Sequence, residues 1–483
     1  MVFNSLEFLI FLPIVFCLYW LVFKKNLRIQ NVLLLLASYF FYGFWDWRFL
    51  SLIILSTLVD FYVAQKIFQN NRKISKKYWL WLSILINIGI LGFFKYYNFF
   101  VNSWVEMFDA FGISIENTWT LRVILPVGIS FYTFQTMSYS FDVYNKHIKP
   151  TKDIVAFATF VSFFPQLVAG PIERASNLLP QISTKRVFDY NQIVSGLKLI
   201  LWGLFKKVAI ADALAPIVDD IFTNYSNYSS STLILGVIFF SFQIYGDFSG
   251  YSDIAIGTAK MFGIELSSNF KFPYFSRNIT EFWNRWHISL SSWFKHYVYF
   301  PLGGSYGSQV KSIRNVLIVF LVSGLWHGAN WTYVVWGAFH ALAFVPVFVI
   351  KKNKKYKNLA LGEGELIISL KEILKVIFVF SLVTFSWIFF RSETIYQALE
   401  YIHNIFINKS FSVYDHPRGY RMIDYYMLIS LFVIFEYIIR KDERNPIRFK
   451  SKVLRFITYT LLILLMLLFY DNGIDRSFIY FQF

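Results

Sequence analysis

The chain has 483 residues, of which 56% are hydrophobic, 21% aromatic and only 16% charged, and its mean hydropathy is +0.49. That is too apolar for one soluble core and too long for one helix pair, so the sequence reads as an integral membrane protein. The net charge of +17 would suit nucleic acid, but the lysines and arginines fall in short loops between apolar runs, where they set topology instead. Membrane lipid is the expected surrounding partner, and no nucleic acid.

The first apolar run, 8–23, is bounded by Lys24, Lys25 and Arg28. It lacks the basic start and small-residue cleavage site of a leader, so it reads as a retained span. Cys17 inside it is the only cysteine, which excludes an intramolecular disulfide and argues against a thiol nucleophile or a Cys-ligated metal. Runs at 31–44, 49–64, 78–101 and 121–141 follow, then a compact group between 154 and 248, a pair flanking His327, and runs at 376–390, 425–439 and 453–470. At roughly 15 to 25 residues per run this predicts an all-α, polytopic protein of about eleven spans. Several runs are short, which predicts tilted, broken or re-entrant helices buried in protein. No tandem repeat occurs, and one domain over 1–483 is the economical reading.

The loops 24–28, 66–77, 351–357 and 440–452 are basic and are expected to face the cytoplasm. Segment 102–120 carries Glu106, Asp109 and Glu116 and no base, as expected of the opposite side. Counting from these anchors puts both termini, including the tail 471–483, outside the cytoplasm. The centre stays ambiguous, because 173–186 also reads as cytoplasmic.

"YGDFSGYSDIAIG", 245–257, sets Ser249 beside Gly250 and near Asp247 and Asp253, without the Gly-x-Ser-x-Gly elbow of soluble hydrolases. Its small residues predict close helix approach, with the carboxylates hydrogen-bonded inside the bundle. No zinc-protease, nucleotide or dinucleotide motif occurs, and no metal is expected.

In "NITEFWNRWHISLSSWFKHYVYFPLGG", 278–304, Asn278 and Glu281 have the spacing of a helix N-terminus. A helix continuing from there would pair Glu281 with Arg285 and align Trp283, His287 and Ser291 in one stripe. The alternative is an interfacial helix with tryptophans at headgroup level. In the block 315–350, "LWHGANW" places His327 between two tryptophans. A helix rising from the basic stretch 311–314 reaches His327 after about 18 Å, against a hydrocarbon core of about 30 Å. An imidazole at that depth points to a functional site, with a packing role as the alternative. Gly328, Ala329 and Asn330 are expected to bend the chain, and a cavity-facing His327 to make few packing contacts. His340, within the following run, reads as packing support.

Four stretches, "SFFPQLVAGPIER" (162–174), "YGDFSGYSDIAIGTAKMFGI" (245–264), "FWNRWHISLSSWFK" (282–295) and "LWHGANW", resemble the membrane-bound O-acyltransferase superfamily, most closely its bacterial branch that acetylates polysaccharides such as alginate and peptidoglycan. The resemblance runs from the first residues to the last. It implies a ring of tilted helices around a thin centre, where a funnel and a tunnel meet. His327 matches the superfamily's near-invariant histidine, and His287 the second histidine of the bacterial branch.

The implied activity is O-acetylation of an envelope or exported polysaccharide from a cytoplasmic thioester. The resemblance implies acetyl-CoA as the donor, with no cofactor permanently bound. His327 would be the general base and His287, with Trp283 or Asn330, would position the donor or polarise its carbonyl, with Ser291 as a further positioning candidate. The tail "FIYFQF", 478–483, resembles the C-terminal motif of the small companion protein in D-alanyl transfer systems. That implies Tyr480 as an acyl relay to a secreted, hydrolase-like acetyltransferase partner, with Phe478, Phe481 and Phe483 holding the tail; the alternative is an aromatic anchor. D-alanyl transfer to teichoic-acid-type polymers, lipid or protein acylation, and a non-catalytic transporter or scramblase are the competing functions. The expected location is the cytoplasmic membrane.

Overall fold

The computed structural model describes residues 1–114, 119–168, 170–350, 360–362, 368–407, 411–470 and 478–479. Among these residues the regular structure is helical throughout, without a β-strand, so the all-α expectation holds. Among the described residues, seven helical stretches are long and apolar enough to cross a membrane: Leu27–Gln69, Lys73–Ala110, Ser230–Met261, Gln309–His327, Trp331–Val349, Leu370–Arg391 and Met422–Ile439. Leu27–Gln69 contains two of the runs separated in the sequence, and other runs form shorter helices, so runs and spanning helices do not correspond one to one. The helices group into two compact units, Met1–Ile193 with Thr258–Leu266, and Val194–Gly257 with Ser267–Phe483.

The first unit contains α1 (Leu6–Cys17), α2 (Leu27–Asp46), α3 (Leu50–Gln69), α4 (Lys73–Leu91), α5 (Tyr97–Ala110), α6 (Ile129–Tyr144), α7 (Ile154–Ser162), α8 (Phe164–Leu167) and α9 (Ala175–Ser183). Ser5 and Asn26 cap α1 and α2, their side chains accepting from Phe8 N and Ile29 N. Such caps satisfy amides that have no partner in the helix. The run at 121–141 does not form one helix: residues 119–127 are irregular and α6 starts only at Ile129. Pro126 offers no amide for a helix interior, and Gly128 sits at φ +73, where an added Cβ would also lie 2.9 Å from the Leu167 carbonyl oxygen. Helix α6 is buried on nearly all sides. Asp60 on α3 accepts from Ser83, from Ser140 at 2.6 Å and from Asn87 Nδ2 at 2.7 Å, which joins α3, α4 and α6 through one fully buried carboxylate.

The second unit carries most of α10 (Tyr190–Phe205), a π-helical turn over Lys206–Asp212, α11 (Ala213–Thr223) and most of α12 (Ser230–Met261). It continues with α13 (Ile279–Trp283), α14 (Ile288–Phe294), α15 (Gln309–His327), α16 (Trp331–Val349), α17 (Leu370–Arg391), α18 (Ile395–Ile407), α19 (Met422–Ile439) and α20 (Lys452–Leu468). Helices α10 and α12 touch backbone to backbone: a Cβ on Gly203 would lie 2.6 Å from the Gly250 carbonyl oxygen. This approach brings Lys206 to 2.6 Å from Asp253, and Lys207 to 2.7 Å from Asp247 and 2.8 Å from Asp212. The "YGDFSGYSD" carboxylates therefore belong to buried ion pairs, as the small residues around them predicted. Removing one partner of such a pair would leave an uncompensated charge in a low-dielectric interior.

Candidate functional site: two histidines in an aromatic cage

All the site geometry lies within the second unit. Helix α13 begins as its sequence predicts, with Asn278 Oδ1 accepting from Glu281 N at 2.8 Å. The Glu281 carboxylate turns back to the chain, accepting from Arg277 N at 2.7 Å. Its other oxygen meets Arg277 at 2.8 Å and Arg285 at 2.7 Å. The predicted Glu281–Arg285 pair is present, extended by Arg277 into a buried triad.

The helix does not continue, which corrects the predicted stripe of Trp283, His287 and Ser291. Helix α13 stops at Trp283, and His287 adopts a left-handed backbone, φ 42 and ψ 54, before α14 starts. The break is made by a distant segment: Lys271 N donates to Arg285 O at 3.0 Å and Ile288 N to Asn269 O at 2.9 Å, replacing helical hydrogen bonds. A non-glycine residue at positive φ is strained, and such strain persists only where the surroundings hold it.

Asn269 also holds the imidazole. Its Oδ1 lies 3.1 Å from His287 Nδ1 and accepts from Ser289 Oγ at 2.9 Å and Ser289 N at 3.4 Å, while its Nδ2 donates to Ser252 Oγ at 3.1 Å. The Ser289 amide fixes which end of the carboxamide faces it. A carbonyl oxygen only accepts, so His287 Nδ1 carries the proton and the neutral ring keeps its lone pair on Nε2.

Helix α15 ends at His327, and the chain bends through 328–330 as expected. Asn330 caps α16 through Thr332 N at 3.0 Å and donates to the Glu393 carbonyl at 2.7 Å. Both ends of its side chain hold the bend. A methyl at Gly324 would run into the Tyr333 carbonyl, so the two arms of this hairpin pack tightly.

His327 is 2% exposed and meets Trp326 and Trp336 at 5.1 Å between ring centres and Phe390 at 5.5 Å. The expectation of few packing contacts therefore fails, because the ring is one wall of an aromatic cage. His287, fully buried, lies 6.4 Å from His327 between ring centres and 4.6 Å from Phe248. Two imidazoles 40 residues apart in sequence thus converge at the end of α15.

A cavity of about 390 Å³ lies beside α13, α14 and α15, lined among others by Trp283, Asn284, Ser291, Lys295, Phe320 and Ser323. Phe320 and Ser323 precede His327 on one face of α15, at helical spacings of three and four. Trp283 joins the cavity wall to the cage, with its ring 5.7 Å from Trp336 and 5.0 Å from His340. His340 is buried and its Nε2 lies 3.0 Å from Ser386 Oγ, consistent with packing support.

Of the sequence candidates, the structure brings His327 and His287 together, puts Trp283 and Ser291 on the cavity wall, and uses Asn330 as a cap. Tyr480, Phe481 and Phe483 lie outside the described residues. Sequence reasoning missed Asn269 and Trp336. Asn269 stands in a non-helical stretch with no periodic signal, whereas Trp336 lies in an apolar, aromatic run and reads only as core.

The sequence model of MBOAT, the membrane-bound O-acyltransferase family, matches residues 115–353. The probable alginate O-acetylase of Azotobacter vinelandii is 39% identical over 397 residues, 82% of this chain and 76% of that protein. The peptidoglycan O-acetyltransferase of Helicobacter pylori is 36% identical over 433 residues, 83% of this chain and 79% of that protein. The chain belongs to the membrane-bound O-acyltransferase family. The teichoic acid D-alanyltransferase of Bacillus subtilis is a more distant relative, 28% identical over 288 residues, 56% of this chain and 70% of that protein. The protein is therefore a multi-pass membrane acyltransferase, and both histidines and the cavity residues fall within the matched segment.

Proposed function

We propose that this acyltransferase moves an acetyl group from acetyl-CoA in the cytoplasm to a hydroxyl on the far side of the cytoplasmic membrane, for O-acetylation of an envelope or exported polysaccharide. The observation that carries the reading is the convergence of His327 and His287 at the end of the α15 face along which the cavity lies. The two relatives that align over most of this chain are named for acetylation of alginate and of peptidoglycan, which favours acetyl over D-alanyl transfer.

In this reading the thioester arm enters the cavity with the exposed Lys295 beside its phosphate, and the acyl carbon reaches His327. His327 takes the proton of the acceptor hydroxyl as its oxygen attacks the thioester carbonyl. The carbon–sulfur bond then breaks, and the proton passes from His327 to the departing thiolate. General-base help of this kind contributes about 10²- to 10⁴-fold in rate. Polarising a carbonyl needs an N–H, and the neutral His287 ring has already committed its own to Asn269. His287 therefore positions a substrate O–H or N–H through Nε2.

The first acceptor is Tyr480, and a secreted hydrolase-like acetyltransferase takes the acetyl group onward through a serine. An aryl ester is a better leaving group than an alkyl ester, which makes the phenol suited to relay. Both termini face away from the cytoplasm. The test is ester content of the glycan in a deletion strain carrying His327→Gln. Loss of ester at normal protein level is expected, and wild-type ester would refute the base assignment.

A further inference from the structure

The carboxylate of Asp247 has a second partner besides Lys207. Its Oδ2 accepts the main-chain amide of Ile479 at 2.6 Å, while Oδ1 faces Lys207 Nζ at 2.7 Å. The residue before it, Phe478, is fully buried, with its ring 4.6 Å from Tyr251 and 5.5 Å from Phe248. Phe248 is itself in edge contact with His287, at 4.6 Å between ring centres. The segment Phe478–Ile479 thus sits one aromatic ring from the site, more than 200 residues from its receptor on α12.

The geometry points to Asp247 as a latch: with Lys207 it forms a buried receptor for the chain's own segment Phe478–Ile479 and thereby holds that segment one aromatic ring from the acyltransfer site. A main-chain amide is recognised by an acceptor of fixed direction, and Lys207 supplies that direction by holding the opposite carboxylate oxygen. The Tyr251 and Phe248 rings supply an apolar seat for one aromatic side chain. The close approach of Gly203 and Gly250 brings the lysine's helix to the carboxylate. The receptor therefore reads one amide and one aromatic ring, and an unpaired carboxylate would be too costly to keep at this depth. Asp247 is a positioning residue, not one that touches the reacting atoms.

The functional part of this inference rests on the acyltransfer reading above; the latch itself does not, so thiol accessibility tests it separately from activity. In a Cys17→Ser background, Ile479→Cys is treated in native membranes with a permeant maleimide, with Lys73→Cys as the reference site. Asp247→Ala should raise the labelling rate at position 479 about tenfold or more while leaving position 73 unchanged, as release of a locally protected segment requires. Because Asp247→Ala takes one of two carboxylate partners from Lys207, the double variant Lys207→Met/Asp247→Leu removes the whole Asp247–Lys207 pair, giving up the Lys207 contact of Asp212, and should release position 479 equally.

Both variants should lower acyl transfer as far as deletion of residues 478–483 does, with no further loss when combined with it. Unchanged protection at 479 in the double variant overturns the latch whatever the activity shows. Full acyl transfer by the deletion overturns the assignment of this segment to the site.

Discussion

His287 Nδ1 and Asn269 Oδ1 lie 3.1 Å apart, and the same asparagine accepts from Ser289 while its main-chain carbonyl accepts from Ile288. One loop residue thus breaks the helix, sets the positive φ of His287 and selects the ring tautomer. Asn269→Leu keeps the approximate volume and removes the acceptor. Transfer should fall about 10- to 100-fold, as when a partner that orients a reactive imidazole is lost. Loss of the acceptor shared by the Nδ1–H and the Ser289 hydroxyl should also cost about 1–3 kcal/mol of stability. Kinetics at saturating donor together with thermal unfolding in detergent check both, and the loss should fall on kcat rather than KM.

Ser323 lines the cavity one helical turn before His327. Ser323→Leu should narrow the route to the cage without disturbing the start of α15, which Ser308 caps through Lys311 N. KM for the thioester should rise about tenfold or more, equivalent to about 1.4 kcal/mol of lost binding. A KM equal to that of the wild type would place the donor elsewhere.

The hairpin of α15 and α16 was legible because three independent cues agree: a basic start at 311–314, an apolar length that ends at His327, and the bend-forming Gly328 and Asn330. The Asn278 cap and the Glu281–Arg285 pair were legible for the same reason, since their partners lie within one helical turn. The break at His287 was not. The apolar period continues through Trp283, His287 and Ser291, and only hydrogen bonds from residues 269 and 271 override it. The pairing of Asp247 with Lys207 and Ile479 was hidden likewise, because its members are 40 and 232 residues apart. Local spacing reports local partners, and this site is assembled by distant ones.

The proposed orientation rests on the basic loops. With Cys17→Ser as background, Lys73→Cys and Lys450→Cys should react with an impermeant thiol reagent only after the membrane is opened, since excess Lys and Arg favours the cytoplasmic side. Labelling of both positions in intact cells would reverse the orientation.

Tyr480→Phe preserves the ring and deletes only the hydroxyl. If the tail serves as a relay, glycan acetylation should fall to the level of the His327→Gln strain while protein abundance is unchanged. Acetylation at the wild-type rate would leave the tail as an aromatic anchor.

The central claim is that His327 activates the hydroxyl that receives the acyl group. Because its ring is packed against Trp326, Trp336 and Phe390, His327→Ala would confound loss of the base with an emptied cage, whereas His327→Gln keeps most of the volume. The most direct measurement is single-turnover transfer from labelled acetyl-CoA by the purified protein in liposomes, wild type against His327→Gln, at saturating donor. A drop in rate of about 10²-fold or more with donor binding retained is predicted, the size of a lost general base. Transfer at the wild-type rate would contradict the account.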